Sequence, residues 1–206
     1  MARTPTVSDE EIFAAAARVM GERGVDGFTI SDVAAATGLS RAAIILRFES
    51  TRALKITLLT RQIEAFTRAL AELPQTPSGN SLLAISAFIA GKQGNPVGQA
   101  SFFSNYAVNM QDAELAALEK RRGEVFHAAI ARAMPETRLD KSAAVTEFVT
   151  HLTGSIISWI GSGSADPRRF MLARTRNWLT LAGIPCDDAA PCESPGTGSA
   201  LEMTAS

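Results

Sequence analysis

The sequence predicts an all-helical protein, and three observations carry that prediction. Ala and Leu are abundant, while runs of β-branched residues stay short. Apolar residues recur at three- and four-residue spacing along most of the chain, as one face of a helix requires. Gly- and Pro-rich breaks, preceded or followed by Ser, Thr or Asp at cap positions, cut the pattern into helix-length pieces. With 206 residues the chain is long enough for one large or two small domains, each with a proper core.

Taken in order, residues 1–7 read as a disordered arm. Ser8 and Glu11 form a capping-box pattern that opens the first helix. Ile12, Phe13, Ala16, Ala17 and Met20 repeat on one face of it, and Gly24 ends it. Val25 to Phe28 is a connection. Thr29 and Asp32 make a second capping box, and Val33, Ala34 and Thr37 face inward. Gly38 supplies the left-handed residue that stops this helix, Leu39 fills the gap, and Ser40 caps a short helix over Arg41–Arg47. Ala34, Gly38 and Ile44 then stand at helix-turn-helix spacing, with Ala34 small enough for the second helix to approach. A helix of this kind enters a DNA major groove and offers its N-terminal side chains to base edges. An ordinary helical hairpin shares the same spacing.

Ser50 caps a long helix over Thr51–Leu73, whose Ile56, Leu59, Ile63, Phe66, Leu70 and Leu73 form one unbroken stripe. PQTPSGN, residues 74–80, breaks it. Residues 81–134 read as three helices. The first ends near Gly91, Gly94-Asn95-Pro96 marks a turn, and the third runs from near Asp112 to Met134. Two more follow, Asp140 to about Trp159 and Pro167 to Ala182. Gly183 and Pro185 end the last, and residues 184–206 read as a disordered acidic tail.

The run IFAAAARVMGERGVDGFTISDVAAATGLSRAAIILRFESTRAL resembles the N-terminal domain of TetR-family (tetracycline-repressor-like) transcriptional regulators. The resemblance is close over about residues 10–55 and loose beyond. It rests on the ungapped spacing of Gly24, Thr29, Ala34, Gly38, Ser40, Phe48 and Leu54. It implies a DNA-binding domain over residues 1–50, an effector-binding and dimerisation domain over residues 51–183, and a ligand-released homodimeric repressor on a near-palindromic operator. The expected DNA contacts are Thr29, Ser40, Arg41, Ala42, Ala43, Arg47 and Arg52. Three positions depart from the family pattern. Ile45 stands where Tyr is usual, Arg47 where His is usual and Thr51 where Lys is usual. Those positions ordinarily touch phosphates, so Arg52 is expected to compensate in part. A dimeric ligand- or protein-binding module of the same fold that has lost specific DNA binding is the alternative.

The aromatic set Phe66, Phe88, Phe102, Phe103, Tyr106 and Phe126, with His127 and His151, falls on the helices that, as the resemblance implies, would enclose a small apolar or aromatic effector. The resemblance makes the last two helices the dimer contact, through Phe148, Leu152, Ile156, Trp159, Phe170 and Trp178, though such faces also pack within one chain.

Charge is modest. The chain carries a net −1, but its last segment has no Lys or Arg and four acids, which leaves the remainder slightly basic. Between Gly38 and Arg61 five cations (Arg41, Arg47, Arg52, Lys55, Arg61) face one acid, Glu49. No cofactor or metal is expected. Only His127 and His151 are available as histidine ligands, and Cys186 and Cys192 lie in the polar tail. Asp9, Glu10 and Glu11 occupy a first helical turn, where acids complement the helix dipole. The N-terminus lacks a signal-peptide core and no apolar run reaches membrane length, so the expected location is the cytoplasm and catalysis is not expected.

Overall fold

A computed structural model describes residues 7–23, 28–92, 94 and 96–187. The expectations for the arm before Val7, the Gly24 stop, the Val25–Gly27 connection, Asn95 and the tail beyond Asp187 (Cys192 with it) lie outside the described residues.

Helix α1 (Asp9–Arg23) opens on the first capping box: the Ser8 amide donates to Glu11 at 2.7 Å and the Glu11 amide donates back to Ser8 Oγ at 3.2 Å. Helix α2 (Ile30–Thr37) opens on the second, with Asp32 N donating to Thr29 Oγ1 and Thr29 N to Asp32 Oδ2, each at 3.2 Å. Gly38 stops it at φ 69°, ψ 11°, a conformation that costs a Cβ-bearing residue about 1–2 kcal/mol. Helix α3 (Arg41–Phe48) is capped by Ser40 and ends one residue beyond the predicted Arg47. Glu49 follows with φ 63°, ψ −49°, and Ser50 N donates to Phe48 O at 2.6 Å. This is a γ-turn of the strained hand, and it swings the chain from α3 into α4 in three residues.

Ile12, Phe13, Ala16 and Val19 of α1, Phe28, Ile30, Val33 and Ala34, then Ile44 and Phe48 of α3 close one core. Helix α4 (Thr51–Ala71) completes it with Leu54 and Leu58, so the boundary between the two units falls inside α4. At 1.5 Å per residue this helix spans roughly 30 Å. Its later residues Leu59 and Ile63 pack on Leu115. Arg61 ties it back to α1: the guanidinium lies 4.2 Å over the Phe13 ring and bonds Glu10 at 2.6 Å.

The second core is built from α5 (Gly79–Gly91), α7 (Ala113–Ala133), α8 (Lys141–Ser162) and α9 (Pro167–Ala182), with α6 (Pro96–Asn109) lying against α1 and α7. Helix α5 starts inside the predicted break because Ser78 caps it, its Oγ accepting from Ser81 N. Buried Ser86 and Thr175 share a hydrogen bond of 2.8 Å and so satisfy each other across α5 and α9.

The predicted disordered tail begins later than expected. Ile184 is buried in the second core, and Asp187 and Asn80 exchange two hydrogen bonds, at 2.6 and 2.9 Å. Residues 184–187 therefore strap across the start of α5, where Ile184 has apolar area to bury. Among the described residues there are nine helices and no strand, and no helix is long and apolar enough to cross a membrane.

Candidate nucleic-acid interface and effector cleft

In α3 the helical period sorts the side chains. Ile44 and Phe48 enter the core, Ile45 is half-buried against it, and Arg41, Ala42 and Leu46 point outward. Leu46 is 87% exposed, an unusual setting for a large apolar side chain. Arg41 is exposed and, among the described residues, has no ion-pair or hydrogen-bond partner. Thr29 and Ser40 are the N-caps of α2 and α3, and Ala43 is half-buried.

The other two predicted DNA cations are engaged within the chain. Arg47 Nη1 donates to the Val7 carbonyl at 2.7 Å and to Asp9 at 3.3 Å, fastening the start of α1 to the end of α3. Arg52 reaches out of α4 to the junction of α6 and α7. Its Nε and Nη2 donate to the two oxygens of Asp112 at 2.6 and 2.9 Å, and Nη2 also meets Glu114 at 3.1 Å. Asp112 at the same time caps α7, accepting from Glu114 N and Leu115 N. The Arg52 bond, then those backbone amides, pull its carboxyl down to about 2. The sequence could not disclose this pair, because its partners lie sixty residues apart.

The predicted aromatic set does not converge on one cavity. Phe66, Phe88 and Phe126 stack among themselves, with ring centroids 5.9 Å apart from Phe66 to each neighbour. They fill the seam of α4, α5 and α7. His127 lies apart, on a shallow groove with Lys141, Ser142 and Val145. His151 stacks against Phe148 and Trp178 between α8 and α9. Burial, with Arg174 nearby, holds its imidazole below the usual range.

Phe102 and Tyr106 do border a cleft, of about 170 Å³. Phe103 stands edge-on to Phe102 at 5.5 Å. The cleft lies where the two units meet. Ala17, Met20 and Gly21 of α1 form one wall and Lys55, Leu58, Leu59 and Gln62 of α4 its floor. Phe102, Asn105, Tyr106 and Asn109 of α6, with Leu115, Glu119 and Arg122 of α7, complete it. Glu119 is 4% exposed, pairs with Arg122 and accepts from Asn109 Nδ2 at 2.8 Å. The Arg122 guanidinium packs 4.7 Å from the Phe102 ring centre and 6.0 Å from that of Tyr106. Sequence reasoning missed Glu119, Arg122 and Lys55. A buried charge looks like a solvated one until the neighbouring helices are in place.

Residues 12–56 match the family described as bacterial regulatory proteins, tetR family. The N-terminal unit is a TetR-family domain. Solved structures extend the likeness over the whole fold. A transcriptional regulator from Rhodococcus sp. Rha1 superposes with a TM-score of 0.72 at 16% identity, covering 90% of this chain and all of that one. A transcriptional regulator from Saccharomonospora viridis, solved with choline, gives 0.69 at 18%, covering 85% of this chain and 96% of that one. The multidrug binding protein EbrR, solved with malachite green, gives 0.63 at 20%, covering 86% and 98%. At these identities the likeness is one of fold. No curated protein matches the chain in sequence.

Within this TetR-family fold the residues expected at a dimer contact divide. Phe148 and Leu152 are buried in the subunit's own second core, at 0% and 1% exposure, and Trp159, at 1%, is buried with its indole N–H donating to the Ser164 carbonyl. They have no surface left for a partner, because α8 packs them against its neighbours in the chain. Ile156, Phe170 and Trp178 are half-buried beside them. The surface that α8 leaves open is a different face: Thr150, Thr153, Gly154, Ile157 and Gly161, at helical spacing. On α9 it is Ala173, Asn177 and Leu181, the last 88% exposed.

Proposed function

We propose that this chain is a cytoplasmic, homodimeric transcriptional repressor of the TetR family that binds a near-palindromic operator and is released by a small organic effector. The observation that carries the reading is α3: a doubly capped helix-turn-helix whose outer face holds Arg41, unpaired among the described residues, beside Ala42 and Leu46. An arginine there suits the O6/N7 edge of guanine, and Ala and Leu suit the thymine methyl. Two such helices in a dimer would meet successive major grooves about 34 Å apart. The open face of α8 and α9 is rich in small residues, which lets a second copy approach closely. The effector role is supported by the cleft between the units and by the choline and malachite green bound to two proteins of this fold. The test is a mobility-shift titration with DNA upstream of the chain's own coding region, against scrambled competitor. A discrete complex that resists competitor is expected, and indifference to sequence would overturn the operator reading.

A second reading keeps the fold and drops sequence-specific DNA binding. It is favoured by Ile45 and Thr51, which lack the phosphate-binding groups usual at their places, and by the internal engagement of Arg47 and Arg52. The same titration decides between the two.

A further inference from the structure

The cleft between the two units is built unlike a greasy pocket. Its floor and walls are apolar (Met20, Leu58, Leu59, Leu115), but three charged groups face it: Lys55, Glu119 and Arg122. Glu119 and Arg122 neutralise each other, and Asn109 takes the other Glu119 oxygen. Lys55 has only the face of Phe28, 5.7 Å away, and no carboxylate among the described residues. The cleft thus holds one positive charge in excess. Arg122 adds to this. Its side chain is only 21% exposed, and Glu119 occupies part of a guanidinium with five N–H donors. Burial pulls against its charge more than Glu119 restores it. Phe102 and Tyr106 flank it and remain 40% and 42% exposed, an open aromatic rim where a ligand would be covered.

These features select against a cation. A cationic ligand would have to expel Arg122 from both aromatic faces and from Glu119. An anion only joins what is there, taking the spare donors of Arg122 and the ammonium of Lys55, with the Gln62 and Asn105 amides in reach of the same space. The volume, about 170 Å³, suits one aromatic ring, since roughly 150 Å³ holds benzene.

We propose that this cleft binds a compact aromatic carboxylate, its carboxylate held by Arg122 and Lys55 and its ring laid between Phe102 and the Met20–Leu58–Leu59 wall. The inference rests on the effector-responsive reading and names the class of effector. Because α1 forms one wall and α6 and α7 the other, a ligand bridging them would fix how the DNA-reading unit sits on the second domain. It changes operator affinity only by binding the two arrangements unequally.

The test is calorimetric titration of the full-length, DNA-free protein with benzoate, benzamidine and benzyl alcohol, three one-ring probes that are anionic, cationic and neutral. Saturable binding of benzoate is expected, at least about tenfold tighter than benzyl alcohol, the loss that removing a charge-assisted contact brings. Lys55→Met and Arg122→Gln should each weaken benzoate by about tenfold or more and leave benzyl alcohol unchanged. Arg122→Gln leaves Glu119 without its ion-pair partner, so its fold is checked by circular dichroism. Lys55→Met, half-exposed, keeps the test decisive if that variant fails to fold. Benzamidine binding tighter than benzoate, equal binding of benzoate and benzyl alcohol, or binding of none of the three would each overturn the proposal. Because no DNA is present, these outcomes are independent of the operator reading, which the mobility shift decides.

Discussion

Asp112 is a single residue with two tasks. It caps α7 and it receives Arg52 from α4, the helix that leaves the DNA-reading unit. Its carboxyl is held at about 2, against a usual 3.8, chiefly by the Arg52 hydrogen bond. A depressed folded-state value means that its stabilisation is fully present above about pH 4 and is lost as the pH falls toward 2. Asp112→Asn keeps a capping oxygen but removes the charge. The variant should therefore melt below wild type at neutral pH, with the difference shrinking as the pH falls from 4 to 2. Thermal melts at stepped pH read this directly, and a difference that stays constant across that window would show that Arg52 does not hold this carboxylate. Gly79 illustrates the opposite constraint, a backbone approach. A Cβ there would stand 2.3 Å from the Pro185 carbonyl oxygen and 3.0 Å from Cys186 Cβ. Gly79→Ala should push the 184–187 strap off α5 and cost about 1–3 kcal/mol, read as a lower denaturant midpoint. An unchanged midpoint would mean that the strap is not packed there.

At the scale of elements, most of the fold was legible in the sequence. Both capping boxes, the Gly38 stop, the Ser40 and Ser50 caps and the Pro167 start all act locally, within four residues, and the structure carries each of them. The faces of α3 were legible for the same reason: the period that buries Ile44 and Phe48 exposes Arg41 and Leu46. What could not be read was partnership at a distance. Arg47 and Arg52 look like free cations in the sequence, and only the packing of α1 and α7 beside them engages both. The grouping of the aromatic set was not legible either: Phe66, Phe88 and Phe126 pack half-buried against one another, while Phe102 and Tyr106 border the cleft. This division yields a prediction for α3 and the start of α4. Arg41→Ala removes the proposed base contact and should cost about 1–3 kcal/mol on operator DNA with little loss on random duplex. Thr51→Lys restores a phosphate-binding cation and should tighten both, steepening the salt dependence by about one unit. Fluorescence anisotropy across a salt series measures both slopes. If Thr51→Lys changes neither affinity nor slope, α4 does not begin on the DNA backbone.

At the scale of the whole molecule, the proposed dimer needs a surface through which two copies can join. The large side chains of α8 were expected there, but Phe148, Leu152 and Trp159 are buried within the subunit, where α8 packs on α9 and α7. What remains outside is a smoother face running through Thr150, Thr153, Gly154, Ile157 and Gly161. Small residues along a helix let two backbones come close, as a four-helix bundle of two α8–α9 pairs would require. Gly154 is the position where the subunit and the proposed dimer make opposite demands. It is exposed, and a Cβ there meets nothing within 4 Å in the subunit. For the isolated chain, Gly154→Leu should be harmless or stabilising by about 0.5–1 kcal/mol, because leucine is the better helix former. For a dimer closed through this face, the added side chain must be accommodated twice across the two-fold axis, at about 1–3 kcal/mol for each overpacked contact. Gly154→Leu should therefore keep full helical content by circular dichroism, sediment as a monomer at concentrations where wild type is a dimer, and lose operator affinity with it. A variant that still sediments as a dimer and still shifts the operator would place the subunit contact elsewhere, and the open face of α8 would then be only a surface.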